Sequence, residues 1–124
     1  DLFGAERIAV LTPYVDDVNA GIARYLEDHG KSISAFSSFK IVENEIMALV
    51  TPQSIFNAAL EADRNDADAV FISCTAIRAV EVIDKIEQKL GKPVITAVQA
   101  MFWQSLRLAG FKGKISGYGQ LMCL

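Results

Sequence analysis

The sequence predicts an α/β fold, a three-layer sandwich with a mostly parallel, flavodoxin-like sheet of four to five strands. Short apolar segments alternate along the chain with amphipathic segments of helical period. Glycines and prolines separate the two kinds of segment. Because helices that join such strands form right-handed crossovers, the strands should be parallel and helices should cover both faces. No linker or repeat interrupts this pattern, so residues 1–124 are predicted to be a single domain.

Four segments are predicted to be strands. The first and third are short, apolar and partly β-branched, which is typical of a parallel strand covered on both faces, whereas the second alternates between apolar and polar residues. Pro13 ends the first segment, and the third has the clearest pattern. The predicted strands span residues 7–12, 32–39, 68–73 and 93–96. Residues 114–117 are predicted to form a last strand or an extended tail.

Four other segments place apolar residues at helical spacing. Their ends carry helix-terminus signals: Asp16 and Asp17 lie in the first turn of one, and Thr51 precedes Pro52 at the start of another. A glycine follows three of them. The predicted helices span residues 15–29, 52–64, 76–90 and 98–109, with a loop at residues 43–45.

Composition narrows the classes of partner. The net charge is −3 and the basic residues are scattered, which argues against a nucleic-acid surface. No apolar run is long enough to span a bilayer, and the chain is interpreted as soluble and cytoplasmic. Cys74 and Cys123 do not form a disulfide framework or a metal-binding motif, so both are expected to be free thiols. Small molecules or another copy of the chain are the expected partners.

Ligands of a doubly wound sheet bind beyond the carboxyl ends of its strands. Cys74 and Thr75 lie there, between the third predicted strand and a helix expected to begin at Ala76. The N–H groups at the start of that helix would favour a thiolate and hold a substrate carboxylate. The alternative is that Cys74 is only a small apolar residue that ends a buried strand.

Other candidate residues have an ordinary explanation as well. Tyr14 offers a hydroxyl after the first strand, but a loop tyrosine commonly covers a core. Asn44 offers an amide, which in loops usually bonds the local backbone. Arg78 is a candidate partner for a dicarboxylate, and the alternative is that it is simply solvated. His29 is the only histidine and follows a helix end, so a Ser-His-Asp or Cys-His site within this chain is improbable.

Several segments together resemble one enzyme family. The chain resembles the second half of maleate cis-trans isomerases and arylmalonate decarboxylases, in the aspartate/glutamate racemase superfamily. The resemblance covers nearly the whole chain, and the Thr-Pro-Tyr and Ser-Cys-Thr motifs together are fairly specific for it. It rests on residues 7–14 with Asn19, residues 50–52, residues 72–78, residues 99–101 with Trp103, and residues 117–119.

The resemblance implies a two-lobe enzyme with its active site between the lobes and one cysteine from each lobe. The chain would be the C-terminal lobe and the missing N-terminal lobe its partner. Cys74 would be the catalytic cysteine of this lobe, Tyr14 and Asn44 would bind a carboxylate of a small dicarboxylate, and the Thr75 region would supply N–H donors. No metal or organic cofactor is implied. This half alone is not expected to catalyse the two-cysteine isomerisation of maleate.

Alternatives remain at this point. The family commonly has a Ser-Asn pair where this chain has Ala97 and Val98, which leaves a different substrate open. An arylmalonate decarboxylase-like or Asp/Glu racemase-like enzyme is the second hypothesis. The third is a noncatalytic binding or dimerisation module in which Cys74 is structural. Because a missing lobe would leave apolar surface exposed, a homo-oligomer, such as a dimer, is also expected.

Overall fold

The computed structural model describes residues 2–124, and in this part of the chain the sheet has four strands, all parallel. Their order, β2-β1-β3-β4, is that of a doubly wound sheet, which confirms the predicted α/β class. The strands are β1 (Arg7–Thr12), β2 (Ser32–Ser38), β3 (Ala69–Ile72) and β4 (Val94–Thr96). Residues 114–117 form neither a strand nor a fully extended tail, because residues 116–117 lie in a turn.

Five α-helices are found in residues 2–124. They are α1 (Asp16–Asp28), α2 (Asn44–Met47), α3 (Pro52–Ala62), α4 (Ile83–Leu90) and α5 (Ala97–Leu108). The hydroxyl of Thr51 accepts the Ser54 N–H at 3.1 Å, so the predicted N-cap is confirmed. The prediction of a loop at residues 43–45 is wrong for residues 44 and 45, which belong to the short helix α2. Burial of Met47 holds this helical turn against the core.

The prediction of a continuous helix over residues 76–90 is wrong in its first half. After β3 the chain bends through residues 75–77, forms a 3₁₀ turn at Ala79–Val82, and becomes α-helical only at Ile83. Ile77 is buried in the core, and this inward turn separates the strand end from the helix. Cys74 therefore does not lie at the N-terminus of an α-helix.

The two faces of the sheet are packed unequally. Alternate strand residues point to opposite faces, and one set, including Leu11, Val70 and Ile72, belongs to the main core with buried residues of α3 and α4. The other set, Ile8, Val10 and Ala69, forms a small cluster with partly buried residues such as Leu26 of α1. No helix in residues 2–124 is long and apolar enough to cross a membrane.

Candidate active site

Cys74 lies two residues beyond the end of β3 in an unusual backbone conformation. Its φ is +123°, a region that side chains rarely occupy and that costs about 1–3 kcal/mol. The residue is 6% exposed, and its Sγ accepts a hydrogen bond from the Ala76 N–H at 3.2 Å. Backbone strain of this kind is concentrated at functional sites. A bent loop, rather than a helix N-terminus, thus supplies the N–H donor to the thiol.

Tyr14 lies beside Cys74 because β1 and β3 are neighbours. Leu11 pairs with Ile72, so the chain leaves the two strands side by side. Burial raises the pKa of Tyr14 to about 12, and a hydrogen bond to Cys74 and the charge of its thiolate act in the same direction. A hydrogen bond to Ser73 has the opposite, smaller effect. The phenol therefore stays protonated near neutral pH and remains a hydrogen-bond donor at the thiol.

The Tyr14 backbone is fixed by three polar side chains. Its N–H donates to the Thr12 hydroxyl at 3.2 Å, and its carbonyl accepts hydrogen bonds from Asn19 Nδ2 at 2.8 Å and from the Ser38 hydroxyl. Asn19 Oδ1 also accepts the buried Thr12 hydroxyl at 2.5 Å. Asn19 is one of the residues that carry the family resemblance, but the sequence patterns assigned no role to Asn19 or Ser38.

The side chains of Thr75 and Asn44 are exposed and are not part of the contact between Cys74 and Tyr14. Thr75 follows Cys74 directly and is exposed. Asn44 is exposed at the start of α2, one turn before Met47, which packs in the same core cluster as Cys74 and Tyr14. Within residues 2–124 the Asn44 side chain makes no hydrogen bond to Cys74 or Tyr14. The structure thus brings Tyr14 to the thiol and leaves Asn44 at the rim.

Comparison with known proteins identifies the family to which this chain belongs. The family model Amdase, described as arylmalonate decarboxylase, matches residues 1–122. The chain belongs to the arylmalonate decarboxylase family. It is 33% identical over 121 residues to arylmalonate decarboxylase of Bordetella bronchiseptica, covering 95% of this chain and 50% of that one. It is 27% identical over 119 residues to maleate isomerase of Nocardia farcinica, covering 95% and 47%.

Solved structures of the family agree in fold. A crystal structure of arylmalonate decarboxylase superposes with a TM-score of 0.88 at 32% identity, over 98% of this chain and 54% of that chain. The maleate isomerase of Pseudomonas putida S16 superposes with a TM-score of 0.92 at 25% identity, over 98% and 49%. The chain spans about half the length of the curated relatives it matches.

In this member of the arylmalonate decarboxylase family, the remaining sequence candidates lie apart from Cys74. Arg78 forms a two-point ion pair with Glu81 on the surface, with contacts of 2.6 and 3.0 Å. His29 is exposed and stacks on Tyr25 at the end of α1. Among residues 2–124, no group of three or more His, Cys, Asp and Glu side chains is arranged to hold a metal ion.

Proposed function

We propose that this chain supplies one half of the active site of an enzyme that acts on a small dicarboxylate, with Cys74 transferring a proton to or from a substrate carbon. The observation that carries the proposal is the environment of the thiol. Cys74 sits in a strained conformation, accepts the Ala76 N–H and faces the Tyr14 phenol at the carboxyl edge of the sheet. Membership of the arylmalonate decarboxylase family supports the same conclusion.

These groups match the demands of carbon acid chemistry. The Ala76 N–H and the Tyr14 phenol can each donate a hydrogen bond to a thiolate, so the thiol can release its proton and recover it. Donors at this edge can also hold a substrate carboxylate as it becomes enediolate-like. We place Tyr14 and the N–H groups near Thr75 in that role, with Asn44 contributing from α2. This chemistry requires no metal or organic cofactor.

The first candidate reaction is cis-trans isomerisation of maleate, with a second cysteine from the other half of the site. That thiolate adds to one alkene carbon, and the electron pair moves toward the adjacent carboxylate as an enediolate. Cys74 donates its proton to the neighbouring carbon. After rotation about the new single bond, the Cys74 thiolate removes a proton and the C–S bond breaks, releasing fumarate. A solved maleate isomerase mutant from Nocardia farcinica contains a covalently bound succinylcysteine intermediate.

The second candidate reaction is decarboxylation of a substituted malonate, which the higher identity to arylmalonate decarboxylase favours. The bond between the α-carbon and one carboxylate breaks, and carbon dioxide leaves. The electron pair stays on the α-carbon as an enediolate, which Tyr14 and backbone N–H groups stabilise. Cys74 then donates its proton to that carbon, and its thiolate regains a proton from water. This reaction needs no second cysteine.

Substitution of Cys74 tests the proposal in the longer protein that contains this chain. We expect Cys74→Ala to lower turnover of maleate or phenylmalonate by about a thousandfold, since a positioned acid or base contributes 10²–10⁴-fold. Cys123→Ala is the matched control, because that thiol lies in the C-terminal turn and should leave the rate unchanged. Retained turnover in Cys74→Ala would refute the role of Cys74. No turnover of either substrate by the wild type would leave the noncatalytic binding module as the better hypothesis.

We infer that the thinly covered sheet face is a contact surface for a partner, separate from the carboxyl edge that carries Cys74. Beside α1, over strands β3 and β4, an apolar groove is lined by Phe3, Leu26, Phe71 and Ile95. Covering such a surface favours association. We expect the isolated chain to form a homo-oligomer through this face, and the other lobe to replace that contact in the longer protein. Sedimentation equilibrium that shows only monomer at high concentration would contradict this.

A further inference from the structure

The hydroxyl of Ser38 makes three hydrogen bonds around the loop that carries Tyr14. Ser38 is the last residue of β2 and lies beside Thr12, the last residue of β1, in the register of the two parallel strands. Its hydroxyl donates to the Tyr14 carbonyl, and it accepts the Lys40 N–H at 3.1 Å and the Thr12 hydroxyl at 3.2 Å. A serine hydroxyl has one donor and two acceptor sites, so all three are occupied. A side chain used in this way holds other groups in place rather than binding a ligand.

The backbone that follows Ser38 is also attached to this loop. Two N–H groups of residues 39–41 donate to the carbonyls of residues 12–13, at 3.0 and 2.7 Å. Between these two bonds Lys40 has a φ of +55°, a left-handed conformation that is unfavourable for residues other than glycine. In this conformation the Lys40 N–H reaches the Ser38 hydroxyl. The chain therefore accepts local strain at the end of β2 and keeps the hydroxyl in its position beside Tyr14.

An ion pair on the surface is the other polar contact of this segment. Lys40 Nζ lies 3.2 Å from an oxygen of Asp16 at the start of α1, and both side chains are largely exposed. Exposed ion pairs contribute little, because water and salt screen them. The Ser38 hydroxyl is partly buried in its contacts with Thr12 and Tyr14, so it holds the loop more firmly than the ion pair does.

We propose that Ser38 is a positioning residue for the reaction, and that its hydroxyl keeps the Tyr14 phenol beside Cys74 by holding the Tyr14 carbonyl at the end of β2. The inference rests on the proposed function and adds a residue that acts through Tyr14 and not on the substrate. Asn19 of α1 holds the same carbonyl at 2.8 Å. The loop is thus fixed from an edge strand and from a helix, and loss of the strand contact should let the phenol move. A misplacement of about 1 Å can lower a rate as much as about 100-fold, so partial release should be visible in the kinetics.

Substitutions of Ser38 in the longer protein test this role. We expect Ser38→Ala to lower kcat/KM for maleate or phenylmalonate about tenfold, and Ser38→Thr, which keeps the hydroxyl, to stay within about threefold of the wild type. Ser38→Cys has a weaker donor of similar size, so it should lie between them and replaces the alanine variant if that variant does not fold. Ser37→Ala is the matched control, because the neighbouring Ser37 hydroxyl makes no hydrogen bond within residues 2–124. Equal losses in Ser37→Ala and Ser38→Ala would overturn the inference.

A double substitution distinguishes positioning from general stability. If Ser38 acts through the Tyr14 hydroxyl, Ser38→Ala should change kcat/KM less than about twofold once Tyr14→Phe has removed that hydroxyl. A role in stability alone does not depend on the phenol, so it would give the same loss in both backgrounds. A loss of about tenfold in Tyr14→Phe as well as in the wild type would therefore reject the positioning role.

Titration of Tyr14 in the 124-residue chain separates this inference from the proposed function. Because a released loop admits water to the phenol, the pKa of Tyr14 should move from about 12 toward 10 in Ser38→Ala. It should not change in Ser37→Ala or in Lys40→Gln, which removes only the surface ion pair. A changed pKa without turnover by the longer wild-type protein would retain the role of Ser38 at Tyr14 and reject the enzyme. Turnover with an unchanged pKa in Ser38→Ala would retain the enzyme and reject the role of Ser38.

Discussion

The phenol of Tyr14 and the thiol of Cys74 lie side by side because the strands that precede them, β1 and β3, are adjacent and parallel. Residues 14 and 74 are far apart in the sequence. A thiolate at Cys74 disfavours a phenolate at Tyr14, so this contact adds to the effect of burial in raising the pKa of Tyr14. This pair is the part of the candidate site that measurements can address directly.

Tyr14 should ionise at a higher pH than an ordinary tyrosine. Its pKa is raised from 10.0 to about 12, so one of the three tyrosines should titrate late in the ultraviolet absorbance of phenolate. Because the folded state retains this proton longer than the unfolded state, the free energy of unfolding should fall as pH rises from about 10 to about 12. Tyr14→Phe should abolish the late titration.

Cys74→Ala should lower the pKa of Tyr14 part of the way toward 10, because the hydrogen bond and charge of the thiol are lost while the burial remains. Tyr118→Phe is the control and should leave the late titration in place. An unchanged Tyr14 pKa in Cys74→Ala would show that the two side chains do not face each other.

The strained backbone at Cys74 predicts an unusual order of stability among its variants. Both Cys74→Ala and Cys74→Gly remove the thiol, but only glycine adopts a φ of +123° without strain. We therefore expect the glycine variant to be more stable than the alanine variant by about 1 kcal/mol in urea denaturation. Within α3 the order should be reversed, so Ala58→Gly should be less stable than the wild type, which has alanine there. Alanine more stable than glycine at position 74 would contradict the strained conformation.

Asn19 is expected to be a positioning residue for Tyr14. Asn19→Ala removes a hydrogen bond to the Tyr14 carbonyl and the shorter of the two hydrogen bonds of the buried Thr12 hydroxyl, leaving only Ser38 Oγ at 3.2 Å. We expect a loss of about 2 kcal/mol in the free energy of unfolding. Asn57→Ala, which removes an exposed contact to Gln53, should cost less than about 0.5 kcal/mol.

A second readout distinguishes positioning from general stability. In Asn19→Ala the loosened loop should admit water to the phenol, so the pKa of Tyr14 should move toward its ordinary value. A destabilised protein in which Tyr14 still titrates late would mean that Asn19 supports the fold but does not position the phenol.

Buried Glu87 should make stability depend on pH. Its burial, and to a lesser extent the nearby Asp84, raise its pKa, although hydrogen bonds from Val94 and Gln120 oppose the shift. The folded state then binds this proton more tightly than the unfolded state, so the free energy of unfolding should decrease as pH rises from about 4.5 through the raised pKa. Urea denaturation over a series of pH values measures this.

Glu87→Gln should remove that decrease. The amide nitrogen also replaces one acceptor of a backbone N–H, so the variant should lose about 1–3 kcal/mol at the acidic end of the series. Glu61→Gln on the exposed side of α3 is the control and should retain the wild-type pH profile. Parallel profiles for Glu87→Gln and the wild type would exclude Glu87 as the source of the effect.

Much of the architecture could be predicted from the sequence because the patterns that specify strands and helices are local. Apolar strand segments, helical spacing and caps such as Thr51 depend on residues a few positions apart, and the structure confirms the four strands and the four long helical segments to within a few residues at most ends. The exception is residues 76–82, where helical spacing predicted an α-helix. There, burial of Ile77 and the bend after Cys74 outweigh helix propensity.

The sequence alone also identified Cys74 and Tyr14 as candidates and, through a family resemblance, the class of enzyme to expect. Only the tertiary structure decided that these two side chains meet and that Asn19 holds the Tyr14 backbone. Each of these depends on strand order and on contacts between residues far apart in the chain. A local pattern specifies where a strand ends, whereas the packing of neighbouring strands determines which side chains face one another there.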